Sequence, residues 1–138
     1  NSANIKTLFI PFESKYGWYC HYLHYKYIGG YTNIQLCESF SNEITGKHGM
    51  IQNNKETKWL TYDDFNCSAT FYWHSDRTDV SYPVSWSINI TDGFLRTYPD
   101  NFNQELNKGT EWIGSVFSMG IMNGMLVSGV GFTEIVII

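Results

Sequence analysis

Residues 18–40 read WYCHYLHYKYIGGYTNIQLCESF. Two runs, Trp18 to Ile28 and Tyr31 to Phe40, flank Gly29-Gly30, a two-residue loop suited to closing a β-hairpin through a type I′ turn. Pairing Ile28 with Tyr31 sets Tyr25 opposite Ile34, Leu23 opposite Leu36 and Tyr19 opposite Phe40, all on one apolar face, because side chains alternate along a strand. The same register puts His21 across from Glu38 as a hydrogen-bonded pair. The opposite face carries Trp18, Cys20, Tyr22, His24 and Lys26, joined by Asn33, Gln35, Cys37 and Ser39. That face is polar and aromatic together, the composition of a ligand-facing or solvent-facing surface.

Strand signals continue along the chain. Ile5 to Phe12 alternates Leu8, Ile10 and Phe12, with Pro11 confining it to an edge or a strand end. Ala69, Phe71 and Trp73 share one face of a short strand. Val84, Trp86, Ile88 and Ile90 alternate with polar residues, which turns Asn89 outward. Phe94 to Tyr98 is a further short strand. Trp112 to Ile121 leads into Met122-Asn123-Gly124-Met125, a second hairpin signal, and the apolar run Phe132 to Ile138 reads as a central strand. Short helical turns are expected only at Asn101 to Asn107, capped by Asp100, and at Thr61 to Phe65. The sum is an all-β single domain over residues 1–138, an antiparallel sandwich or barrel of about eight strands.

Composition narrows the function classes. The 138 residues are 43% hydrophobic and 17% aromatic, with 16% charged residues against about 25% in a typical domain. The net charge is −4 and no run of Lys or Arg occurs, which argues against nucleic acid and anionic membrane as partners. Met119 to Ile138 is apolar, but Gly120, Asn123-Gly124, Gly129, Gly131 and Glu134 break it, so a hairpin is expected and no membrane insertion. No signal peptide is visible, so the chain reads as a mature form or an excised domain. Cys20, Cys37 and Cys67 are odd in number, which leans away from a fully disulfide-stapled module. Cys20 and Cys37 share the outer hairpin face but are not opposed in this register, so bridging them needs a different register or a bulge. Sequons occur at Asn66 and Asn89.

No Walker loop, G-x-S-x-G elbow or G-x-G-x-x-G is present, and the expectation is a non-enzyme without catalytic residues, cofactor or metal. His21 and His24 stand three apart, which on a strand sends them to opposite faces and prevents shared ligation. Asp63 and Asp64, with Asn66 and Ser68 nearby, lack an EF-hand spacing. The loop Trp73-His74-Ser75-Asp76-Arg77-Thr78-Asp79 gathers an aromatic platform, an imidazole, two carboxylates and one of the two arginines. Such a set suits a sugar ring and its hydroxyls, and Arg77 suits an acidic sugar. Its plainer reading is a hairpin loop held by its own polar contacts. The candidate ligand contacts are therefore Trp73, His74, Asp76 and Arg77, with Trp18, Tyr22 and His24 as a second surface.

The opening strand Ile5 to Pro11 and the terminal strand Phe132 to Ile138 make the layout similar to the head domains of viral fibres and phage receptor-binding proteins, a similarity confined to the two ends. It implies a homotrimer. The function expected is a lectin-like cell-attachment domain that binds a cell-surface glycan or glycoprotein receptor, located outside the cell or on a virion. A bacterial fimbrial or secreted lectin, a small glycan hydrolase using Asp63, Asp64, Asp76 or Asp79, and a structural capsid or pilus component are the alternatives.

Overall fold

The computed structural model describes residues 16–106 and 109–138. Ten strands form, and no helix occurs among the described residues. They are β1 (Tyr16–Tyr27), β2 (Gly30–Ser41), β3 (Glu43–Asn53), β4 (Thr57–Leu60), β5 (Phe65–His74), β6 (Ser81–Ile90), β7 (Gly93–Pro99), β8 (Glu105–Leu106), β9 (Glu111–Met122) and β10 (Met125–Ile137). They make one antiparallel sheet in the order β4-β3-β2-β1-β10-β9-β7-β6-β5, with β8 added to β9. The all-β antiparallel single domain expected from the sequence is therefore present, as one curled half-barrel of ten strands. The expected strand Ile5 to Phe12 lies outside the described residues.

The curl is read from contacts across the concave side. β1 and β6 stand four places apart in the sheet, yet the rings of Tyr19 and Trp86 are 4.4 Å apart. Lys47 on β3 donates to the carbonyl of Phe65 on β5 at 2.5 Å, drawing the two ends of the sheet together. Bending this sharp brings backbones close at β10. A Cβ at Gly131 would lie 1.9 Å from the Tyr22 carbonyl oxygen on β1, so only glycine fits there. The aromatics Trp86, Trp112, Tyr19, Tyr25 and Tyr82 fill the concave side, none of them exposed. Val84, Trp86, Ile88 and Ile90 are buried as the alternation predicts, and Asn89 is exposed. β10 is central, between β1 and β9, and its hairpin with β9 turns at Asn123 and Gly124, both with positive φ as a type I′ turn requires.

The first hairpin keeps the expected faces but not the expected register. Tyr27 pairs with Gly30, so the loop is Ile28-Gly29 and every pair is shifted by two. Only Gly29 of those two takes a positive φ, at 92°, the pattern of a type II turn. Asn54 braces it, donating to the Gly29 carbonyl and accepting from the Tyr31 amide. A shift of two preserves parity, so Tyr19, Leu23 and Tyr25 still face the core. It changes the partners. Cys20 now opposes Cys37 and the two form a disulfide. Glu38 opposes Tyr19 instead of His21, and His21 opposes Leu36.

Two further expectations change. The Ala69, Phe71, Trp73 face is interrupted by a bulge between Ala69 and Tyr72, which leaves Ala69 buried and Phe71 exposed. The expected helical turn at Asn101 to Asn107 is, in its described part, a loop ending in β8. Gln104 holds that loop to β9 by accepting from the Ser115 amide at 2.9 Å.

Candidate functional site

At one end of the half-barrel the β1–β2, β3–β4, β6–β7 and β9–β10 connections surround a cavity of about 180 Å³. Tyr25, Ile51, Met122 and Val127 form its inner wall, and Asn53, Glu56, Lys58, Asp92 and Asn123 its rim. Tyr25 is fully buried, and its ring ends the packed core. Its hydroxyl lies 2.7 Å from Ser118 Oγ, which itself donates to the Arg96 carbonyl, so Tyr25 is the donor in the pair. Burial pushes the Tyr25 hydroxyl up to about 12, against a smaller opposing effect of the Ser118 bond, so it stays neutral. The rim is fixed by its turns. Asp92 sits in the left-handed region at φ 62°, where Asp is tolerated, and its carbonyl accepts from the Asn123 amide at 2.8 Å. Two hairpin tips are thereby joined, and Asp92 lines the same opening as Glu56 and Lys58. The rim thus carries two carboxyl side chains and one lysine around a wall of mixed polarity.

A second polar group lies inside the sheet. Glu38, 2% exposed, accepts from the Tyr19 hydroxyl at 2.8 Å and pairs with Lys47 at 3.3 Å. Burial raises its pKa, while Lys47 and Tyr19 oppose the rise. Cys67 is fully buried nearby, and burial, with Glu38 beside it, pushes the thiol well up, which leaves it inert as a nucleophile. His21 is fully buried. Its Nδ1 is 3.2 Å from Thr133 Oγ1 while Nε2 has no hydrogen-bond partner, and burial lowers its pKa to about 3.

The two expected ligand surfaces are not brought together. Trp73, His74, Asp76 and Arg77 belong to the end of β5 and the β5–β6 loop. Trp18, Tyr22 and His24 stand on the convex face of β1, five places away in the sheet. The loop is occupied with its own bonds. Trp73 is half-buried and stacks on Tyr82 at 6.4 Å. His74 contacts Ser81 Oγ through Nδ1 and Asp79 through Nε2, each at 2.9 Å, and Asp76 is exposed on the turn. Arg77 pairs with Glu105 at 3.0 Å. Glu105 also accepts from Ser75 and Tyr82 at 2.6 Å each, and from Thr78. Its removal from water would raise its pKa, but these donors outweigh that and lower it. No sequence signal marked Glu105, because its partners lie 23 to 30 residues away. Asp64, weighed for calcium, accepts from the Thr61 amide and hydroxyl and closes a turn. On β1, Tyr22 stacks on Phe132, His24 contacts Asn33, and Trp18 is 39% exposed beside the disulfide. The cavity residues were missed as a group, since four separate turns deliver them.

No family model matches the sequence, and no curated protein matches it significantly. Solved structures share the fold. One is a protein assigned as an AttH from Nitrosomonas europaea, with a TM-score of 0.73 and 18% identity over 87% of this chain. Another is kievitone hydratase from Nectria haematococca, with a TM-score of 0.68 and 19% identity over 86% of this chain. This chain spans 38% and 39% of their respective lengths. The expectation of a non-enzyme, which rested on missing motifs, is thereby overturned: the half-barrel is shared with a hydratase, so the lack of a nucleophile or nucleotide signature excludes no catalytic role.

Proposed function

We propose that the protein binds a small, partly apolar organic molecule in the mouth of the half-barrel, with groups on the rim equipped to move a proton on it. The observation that carries this reading is the cavity of about 180 Å³, whose wall mixes Ile51, Met122, Met125 and Val127 with polar side chains and whose rim carries Glu56, Lys58 and Asp92. A concave site that brings apolar side chains together with convergent polar groups is what ligand pockets share, and here the polar groups are in the majority. The volume is below that of a drug-sized site, so the ligand is compact or projects past the rim. Glu56 and Asp92 are the acceptors at hand and Lys58 the cation, a set that serves the addition or removal of water. The shared fold with a protein described as a hydratase supports such chemistry without naming the substrate. We also infer an extracellular location, with which the Cys20–Cys37 disulfide is compatible.

The test is a compact-fragment screen by ligand-observed NMR on the wild type and on Val127→Trp, which fills the throat from a half-buried wall position. Fragment binding that disappears in Val127→Trp at unchanged thermal stability is expected. Binding that survives the substitution, or a screen without hits, contradicts the reading. A second reading, a glycan-recognising attachment domain, is favoured by the stacked rings of half-buried Tyr22 and exposed Phe132 on the convex face.

A further inference from the structure

The outer side of the sheet, away from the mouth cavity, carries an ordered grid. Across β10, β1 and β2, Phe132 neighbours Tyr22 and Tyr22 neighbours Gln35. Two residues along, His24 neighbours Asn33, and Asn33 neighbours Gln52 on β3. Paired residues project to the same face, so these six side chains form two parallel rows. The rows are about 7 Å apart along the strands, and each crosses three strands, about 10 Å. Together they line a shallow trough of about 380 Å³.

The chemistry changes along the rows. One end is aromatic: half-buried Tyr22 and Phe132, 44% exposed, stack on each other at 4.5 Å with 22° between the planes. The other end presents three carboxamides, Asn33, Gln35 and Gln52, around Met50. Asn33 is oriented by contact of its Oδ1 with His24 Nδ1, which leaves its amide nitrogen to donate elsewhere. No Asp, Glu, Lys or Arg lines the trough. An ionic ligand would find no countercharge among these side chains, whereas an uncharged ligand with an apolar face and a few hydroxyls would meet a mainly apolar surface edged by carboxamides. A pyranose has an apolar C–H face that packs on an aromatic ring and an edge of hydroxyls that pair with carboxamides.

We propose that this trough is a binding site for a short neutral oligosaccharide, one ring packing against the Tyr22–Phe132 pair and the next reaching Asn33, Gln35 and Gln52. The assignment rests on the second reading above, a glycan-recognising domain, and is independent of the mouth cavity. It also differs from acidic-sugar recognition through Arg77, whose guanidinium is paired with Glu105.

The test is isothermal titration of the whole chain with neutral cello-, xylo-, manno- and chito-oligosaccharides, and with a sialylated trisaccharide as the charged comparison. Saturable binding of one neutral series is expected. Phe132→Ala should weaken it about tenfold, as loss of a stacking surface does. Gln35→Ala, a surface change that keeps the fold, should also weaken it, and Asp92→Asn at the mouth should leave it unchanged. Four results would overturn the proposal: no neutral series bound at millimolar sugar, binding indifferent to both trough variants, a preference for the charged sugar, or light scattering that shows a dimer dissociated by Phe132→Ala. The last would mean that a second copy covers this face.

Discussion

A carboxylate on the inward face of a strand must find partners before it can leave water, and Glu38 finds Tyr19 and Lys47. The pair is nearly inaccessible, with side chains 1% and 6% exposed. Removing one member strands the other, so Lys47→Met should destabilise by about 3–5 kcal/mol, and adding Glu38→Gln should recover part of the loss. Urea unfolding of the single and double variants checks this. His21 supplies a pH signature. Its folded pKa, near 3, lies below the ordinary value of 6.5, so the unfolded chain binds the extra proton first. Stability from His21 is complete above about pH 6.5 and is lost as pH falls toward 3, by roughly 2 kcal/mol at pH 5. Glu38 acts in the opposite sense, since a raised carboxyl pKa favours folding as pH falls. The comparison that isolates His21 is therefore wild type against His21→Gln at pH 7 and pH 5. The variant should lose less stability between the two, and equal losses would contradict the burial of a neutral imidazole.

At the scale of the element, the first hairpin shows how far sequence reading reaches. Its faces were legible because side chains repeat every two residues, and Tyr19, Leu23 and Tyr25 point inward in either register. The register was not legible, because Gly29-Gly30 satisfies the favoured hairpin turn while the bracing Asn54 comes from another connection. The disulfide, the Glu38 partners and the trough all follow from that two-residue shift. Cys20→Ala with Cys37→Ala should cost about 3 kcal/mol for a link closing 17 residues. A thermal midpoint unchanged by the double variant would show that the link adds nothing. The β5–β6 loop teaches a related lesson. Its polar density was read as a ligand surface, and the plainer reading of internal contacts describes it better, through Glu105 on a distant strand. Glu105→Gln should speed amide exchange at Ser75 and Asp79, whose amides close that loop, with little change at β9 and β10.

For the whole molecule, the fold class was legible because strand periodicity and turn residues recur along the chain. The curl and the mouth were not, since both arise when distant strands meet. Trp86 reaches Tyr19 across four strand places, and the cavity rim is assembled from four turns between Tyr27 and Met125. Among the named candidates, Tyr22 and His24 line a trough, while Trp73, His74, Asp76 and Arg77 serve a loop. The central claim is that the mouth is a ligand site. Its most direct test is a two-dimensional amide NMR titration with a fragment hit. Shifts concentrated at Tyr27, Asn53 to Lys58, Asp92 and Asn123 to Val127 are expected, with the convex face silent. Shifts confined to β1 and β2 on the convex side, or spread without focus, would contradict it.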